Sequence, residues 1–265
     1  GGMGMSIWIY LTLGNILMML LGWLVVTFNQ RAGLVDVLWS VGIALNVMLT
    51  AIFAAQAPSD VRWFLGCAAA LWFLRLGGYL FYRYVQETHE DTRYANMRRA
   101  MGPFQNIGFL AFFMFQAGLV LLFSYPMVAL LQVPAALWSD SYQIYLWLAG
   151  CIMLVAWLGE SLADHQLYQF KKDPSNQGKT MDQGLWRYSR HPNYFFEWLH
   201  WFAYPILAMS VGMPLLWLYP MLMWAFLHYL TGIPFSEQQA LKHRGDNYRD
   251  YQRRTSMFIP WPPKT

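Results

Sequence analysis

Charge is scarce in this chain. Only 12% of its 265 residues are Asp, Glu, Lys or Arg, where a soluble domain carries about a quarter, and that shortage excludes a water-exposed globule. Two cysteines, Cys67 and Cys151, are too few for a disulfide framework, and both lie inside apolar runs, where small buried side chains are expected. No paired Cys-x-x-Cys or zincin His pair provides for a metal. No P-loop, no strand-borne G-x-G-x-x-G and no nucleophile elbow is found either. Net charge is +4, but the basic residues do not spread along a polar domain, so nucleic acid is excluded as a partner.

What the sequence has in abundance is apolar surface, 57% of residues, with 14 Trp and 16 Met. Windows of roughly 20 apolar residues, the length a bilayer crossing needs, predict an all-α polytopic membrane protein with seven spans: 7–28, 34–55, 61–82, 104–131, 142–164, 194–211 and 213–234. The first run has no basic segment before it and outlasts a signal core, so it reads as a retained span. A single membrane-embedded domain, 1–265, follows. Sixteen of the 18 Lys and Arg fall on the loops and tail of one face, leaving Arg62 on the other and Arg75 within the third span. The positive-inside rule makes the crowded face cytoplasmic and puts the N-terminus outside.

The ionisable residues at or within the spans share that half: Asp36, Arg75, Glu160, Asp164, Glu197, His200, His228 and Glu237. Placed toward lipid, each would cost about 2.5 to 3.5 kcal/mol at the bilayer centre, so they should turn inward and pair or line water. Glu160 and Asp164 are four residues apart. Asn193, Glu197, His200, Trp201 and Tyr204 also repeat at helical spacing, so each set occupies one helix face. A cavity with polar walls toward the cytoplasm and an apolar upper part is the expectation. The loop before the sixth span carries Lys171, Lys172, Lys179, Arg187 and Arg190, a group that attracts phosphate or anionic lipid heads.

Two stretches, "GLWRYSRHPNYFFEW" from Gly184 and "YRDYQRRTSMFIPWPP" near the C-terminus, resemble the membrane steroid 5-alpha-reductase family, in its bacterial branch described as a domain of unknown function. The resemblance is strongest over 160–261 and extends to sterol reductases and isoprenylcysteine-type methyltransferases. It implies NADPH held under the helices. The family's G-L-[FW]-x-Y-x-x-x-x-N-[FY]-x-x-E pattern falls on Gly184, Leu185, Trp186, Tyr188, Asn193, Tyr194 and Glu197. Its acidic D-x-x-x-x-Q-[LF]-[RK] pattern falls on Asp164, Gln169, Phe170 and Lys171.

The implied cofactor contacts are Arg75, Arg93, Asn96, Glu160, Asp164, Lys171, Lys179, Tyr188, Asn193, Glu197, His228 and Glu237. The implied reaction is reduction of the conjugated double bond of a lipophilic enone, a 3-oxo-Δ4-steroid above all. There the growing enolate charge needs a hydrogen-bond donor at the ketone oxygen. Asp36 stands where the family has Glu and would have to be protonated to donate. On the third span Trp72 aligns with the family's Tyr, and Tyr79 or Tyr82 can serve in its place. Lipid or prenyl methyl transfer from S-adenosylmethionine, and a non-enzymatic lipid binder or transporter, are the competing readings. A monomer in the bacterial cytoplasmic membrane, its site facing the cytosol, completes the expectation.

Overall fold

The computed structural model describes residues 2–265, with side chains from residue 7 onward. Every regular element is helical among the described residues. Six helical stretches are long and apolar enough to cross a membrane: Ile7–Asn29, Leu34–Phe53, Ser59–Gln86, Thr92–Gln132, Tyr142–Lys172 and Pro214–Arg244. The chain forms two compact units, Gly1–Ser139 and Asp140–Thr265.

The first unit is built from α1 (Gly2–Asn29), α2 (Leu34–Phe53), α3 (Ser59–Trp63), α4 (Ala70–Gln86), α5 (Thr92–Met101) and α6 (Gln105–Gln132). A six-residue π-helical stretch, Phe64–Ala69, joins α3 to α4 without a break. The helices sit close where side chains are small. A Cβ on Gly77 of α4 would lie 2.9 Å from Val41 Cγ2 of α2, and beside it Ser40 Oγ donates to the Phe73 carbonyl at 2.6 Å. Between helices in lipid, such close backbone approach and buried polar bonds take over the role that hydrophobic burial has in water.

The second unit is built from α7 (Tyr142–Lys172), α8 (Pro192–His200), α9 (Ala203–Ala208), α10 (Leu218–Ala225), α11 (Ile233–Arg244) and α12 (Asp246–Arg254), with a second π-helical turn at Phe226–Leu230. With 31 residues, α7 is about 46 Å long at 1.5 Å per residue. A hydrocarbon core of about 30 Å leaves its last turns, with Lys171 and Lys172, outside.

The sixth predicted span, 194–211, is not one helix. It consists of α8 with 9 residues and α9 with 6. Pro205 is the cause: it has no N–H for the Trp201 carbonyl, and its ring crowds that carbonyl. The chain tightens there, with Trp201 N and Phe202 N reaching back only three residues, each at 3.1 Å. The cysteines also depart from expectation, since Cys67 and Cys151 are both exposed on their helices. An apolar run facing lipid is apolar on its outer side too, so apolar surroundings in sequence do not imply burial.

Candidate functional site

The predicted site residues divide between the two units. In the first, the rim at the start of α2 is tied to the segment 84–98. Arg31 donates to the Tyr84 and Glu87 carbonyls and lies 4.1 Å over the Tyr84 ring. Glu90 accepts from the Ala32 amide at 2.8 Å and grips Arg98 with both oxygens, at 3.0 and 2.8 Å. Asp36 accepts from Arg93 Nη2 at 2.8 Å and from the Tyr94 hydroxyl at 2.6 Å. Arg93 also pairs with Asp91, whose Oδ1 caps α5 at the Arg93 amide at 2.9 Å. Burial pushes the Asp91 carboxyl up, but the bonds from the Arg93 side chain and amide outweigh it and hold the group below its usual range. The hollow lined by Arg31, Asp36, Glu90, Asp91 and Arg93 measures only about 40 Å³, far short of the 300 Å³ or more of a typical ligand pocket.

This arrangement changes the expected roles there. Asp36, expected to donate a proton, accepts on both oxygens. Asn96, expected to touch a nucleotide, is exposed and accepts from Arg99 one turn along α5. Trp72 is fully buried at 0% exposure, so it packs the unit, whereas Tyr79 is 42% exposed on α4. Arg75 is half-buried on the same helix.

In the second unit the quoted motif is a clasp. Gly184 has φ +62, and a Cβ on it would lie 2.6 Å from the Gln166 amide of α7. Only glycine gives both the left-handed turn and that approach, and Gln166 Oε1 accepts from Leu185 N at 3.0 Å. Trp186 Nε1 donates to the Ala163 carbonyl at 3.0 Å. The C-terminal motif closes on this stretch: the Tyr251 hydroxyl donates to the Trp186 carbonyl at 2.5 Å, Ser189 Oγ to the Phe258 carbonyl at 2.7 Å, and Trp261 N to the Tyr188 carbonyl at 3.0 Å. Burial pushes the Tyr251 phenol up.

At the centre of the clasp Arg190 donates to Glu237 Oε1 at 3.1 and 2.6 Å and to the Gln252 and Thr255 carbonyls at 2.9 and 2.8 Å. The Tyr248 hydroxyl donates to the other Glu237 oxygen, 3.5 Å from His191 Nε2. Glu237, expected at the cofactor, is thereby occupied in holding α11 and α12 to the turn. His228, another expected contact, is stacked on Trp224 at 3.9 Å with Nδ1 on the Trp224 carbonyl at 2.8 Å. Neither Arg190 nor Tyr251 was singled out for this clasp on sequence grounds; their partners lie 47 to 65 residues away.

Beyond the clasp, α7 and α8 pack closely, with Phe196 at 2.4 Å from where a Gly159 Cβ would be. Asn193 Nδ2 reaches Asp164 Oδ1 at 3.4 Å, so the predicted acidic face of α7 meets the predicted polar face of α8. Glu160 and Glu197, one turn further along each helix, are 5% and 8% exposed. His200 and Tyr204 still meet across the break, ring nitrogen to hydroxyl at 2.5 Å. Lys171, Lys179 and Tyr188 are exposed on this unit. No group of three or more His, Cys, Asp or Glu among the described residues could hold a metal ion.

The family described as "Protein of unknown function (DUF1295)" matches residues 22–255. The chain belongs to that family. An uncharacterized protein of Schizosaccharomyces pombe, C9.08c, is 32% identical to this DUF1295 member over 91 residues, 29% of this chain and 30% of that protein. The match thus spans under a third of the relative's length. No solved structure matches the chain.

Proposed function

We propose that this DUF1295 protein is an NADPH-dependent reductase of the conjugated carbon–carbon double bond of a lipophilic ketone, with a 3-oxo-Δ4-steroid as the leading substrate. In this reading it works as a monomer in the bacterial cytoplasmic membrane, its site toward the cytosol. The family's inclusion of steroid 5-alpha-reductase-like proteins supports this. The observation that carries it is the Asn193–Asp164 contact at 3.4 Å, which joins the residues of two family patterns read 29 positions apart.

The donor set fits a nicotinamide nucleotide. The carboxyls of Glu160, Asp164 and Glu197 would accept carboxamide N–H and ribose O–H groups, beside Asn193, whose Oδ1 accepts from Tyr194 N at 3.0 Å and whose Nδ2 reaches Asp164. The exposed Lys171, Lys179 and Arg187 offer charge to phosphates. When bound, NADPH supplies the hydride that the β-carbon takes up. Tyr79 is the residue assigned to donate to the ketone oxygen as negative charge grows there. Asp36 in this reading ties Arg93 and Tyr94 to α2 and takes no part in the chemistry.

The test is ligand-dependent stability of the purified protein in detergent. NADPH at 100 times its dissociation constant raises stability by about 2.7 kcal/mol, and Glu197→Gln weakens that response. A rise with S-adenosylmethionine alone selects methyl transfer, and no rise with either selects the non-enzymatic reading.

A further inference from the structure

Away from the charged rim, α1 and α2 part around a hollow of about 400 Å³, within the size range of small-molecule sites. Leu11, Met18, Leu45, Leu49 and Phe53 give it apolar walls, and Tyr10, Asn15 and Asn46 bring polar groups to it. Gly42 stands six residues beyond Asp36 on α2, about 9 Å along the helix axis, and Phe53 lies further still. The site is therefore separate from the residues of the proposed reductase chemistry and does not rest on that reading.

The two asparagines belong to a directed hydrogen-bond chain. Asn15 Nδ2 donates to the Leu11 carbonyl at 2.6 Å and to Asn46 Oδ1 at 2.8 Å. Asn46 Nδ2 donates to Ser124 Oγ at 3.0 Å, and Ser124 Oγ donates to the Val120 carbonyl at 2.6 Å. All three side chains are buried, at 3%, 3% and 0% exposure. The two bonds that cross between helices run in one direction, from α1 to α2 and from α2 to α6. Because both Asn15 N–H groups are engaged by acceptors, the amide cannot be reversed. Its oxygen is the open end, a buried acceptor with no donor.

That oxygen is covered; beside it, a Cβ on Gly42 would lie 3.3 Å from Asn15 Oδ1 and 2.8 Å from Met18 Cε. The flexible thioether end of Met18 shares this spot and is the part that turns aside. The geometry points to a binding site for a lipophile carrying one hydroxyl, its apolar body in the hollow and its O–H donated to Asn15 Oδ1. A ketone, ether or ester without a donor leaves that oxygen unpaired, so the site selects alcohols.

The probe is tritiated dodecanol, bound to the full chain in phosphatidylcholine nanodiscs. One saturable equivalent is expected, with dodecyl methyl ether competing about tenfold more weakly. Gly14 lines the hollow and a Cβ there meets no atom within 4 Å, so Gly14→Phe is expected to abolish binding, with an unchanged thermal midpoint as the check that the fold survives. Gly118→Phe on α6, equally open, leaves binding unchanged. Displacement by diacylglycerol mixed into the disc identifies a bilayer lipid as the occupant; displacement by free alcohol alone identifies a diffusible one. Both uphold a hydroxyl site. Equal competition by the ether, unchanged binding in Gly14→Phe, or no saturable binding overturns it.

Discussion

The rim of the first unit and the clasp of the second are both dense with arginine and carboxylate, yet they are wired differently. At the rim the cation is shared: Arg93 has Asp36 at 2.8 Å and Asp91 at 3.0 Å, and its side chain is 33% exposed. In the clasp Arg190 has one carboxylate, Glu237, and the pair is 10% and 12% exposed. A partly wet, redundant network tolerates loss of a member because water and the remaining partner screen the orphan. A dry pair does not, since removing one side strands a buried charge. The rim has its own dry pair in Arg98 and Glu90, 13% and 9% exposed, so the contrast lies between Arg190, which holds the clasp in shape, and Arg93, an adjustable tie between α2 and α5.

Substitutions can break this contrast. Arg190→Ala should have the largest effect, a loss of about 3 to 5 kcal/mol in chemical unfolding in detergent; a loss below about 1 kcal/mol would put the clasp on the same footing as the rim. Tyr79→Phe should lower kcat about a hundredfold, within the range for loss of one oxyanion donor, with the NADPH-dependent rise in thermal midpoint preserved; unaltered turnover would move the donor elsewhere. Asp36→Asn should cost about 1 to 2 kcal/mol and leave turnover per folded molecule unchanged, because Asp91 still holds Arg93. If turnover instead collapses while the fold survives, Asp36 belongs to the chemistry.

The smallest effect is that of Asp91. Its folded pKa is depressed, so its contribution is present above the unfolded value near 3.8 and is lost as pH falls through the lower folded value. Asp91→Asn should therefore lose slightly less stability than the parent between pH 5 and pH 3, measured by thermal midpoint.

Much of this architecture is written locally. Apolar run length locates the crossings, and helical spacing alone aligns Glu160 with Asp164 and Asn193 with Glu197, faces that do meet. The interruption at Trp201 was legible too: Pro205 announces it, but the apolar window outweighed the proline. The partners of charged groups were not legible. Asp36 finds Arg93 57 residues later, and Arg190 finds Glu237 47 residues later; the fold, not spacing, sets both pairs. Sequence thus offered Asp36 as a hydrogen-bond donor and Glu237 as a cofactor contact, without showing that Asp36 accepts from Arg93 and Tyr94 or that Glu237 accepts from Arg190 and Tyr248.

The π-helical stretch Phe64–Ala69 sets the rotational phase of everything after it in the third crossing. Such a widened turn carries one residue more than an α-helical path, so Trp72, Arg75 and Tyr79 point about 100° away from where an uninterrupted 3.6-residue count from Val61 would aim them. Deleting one residue from this stretch would keep composition and hydropathy nearly intact while swinging Tyr79 onto a different side of its helix. Phase, in that crossing, is a heritable variable that length-neutral substitution cannot reach.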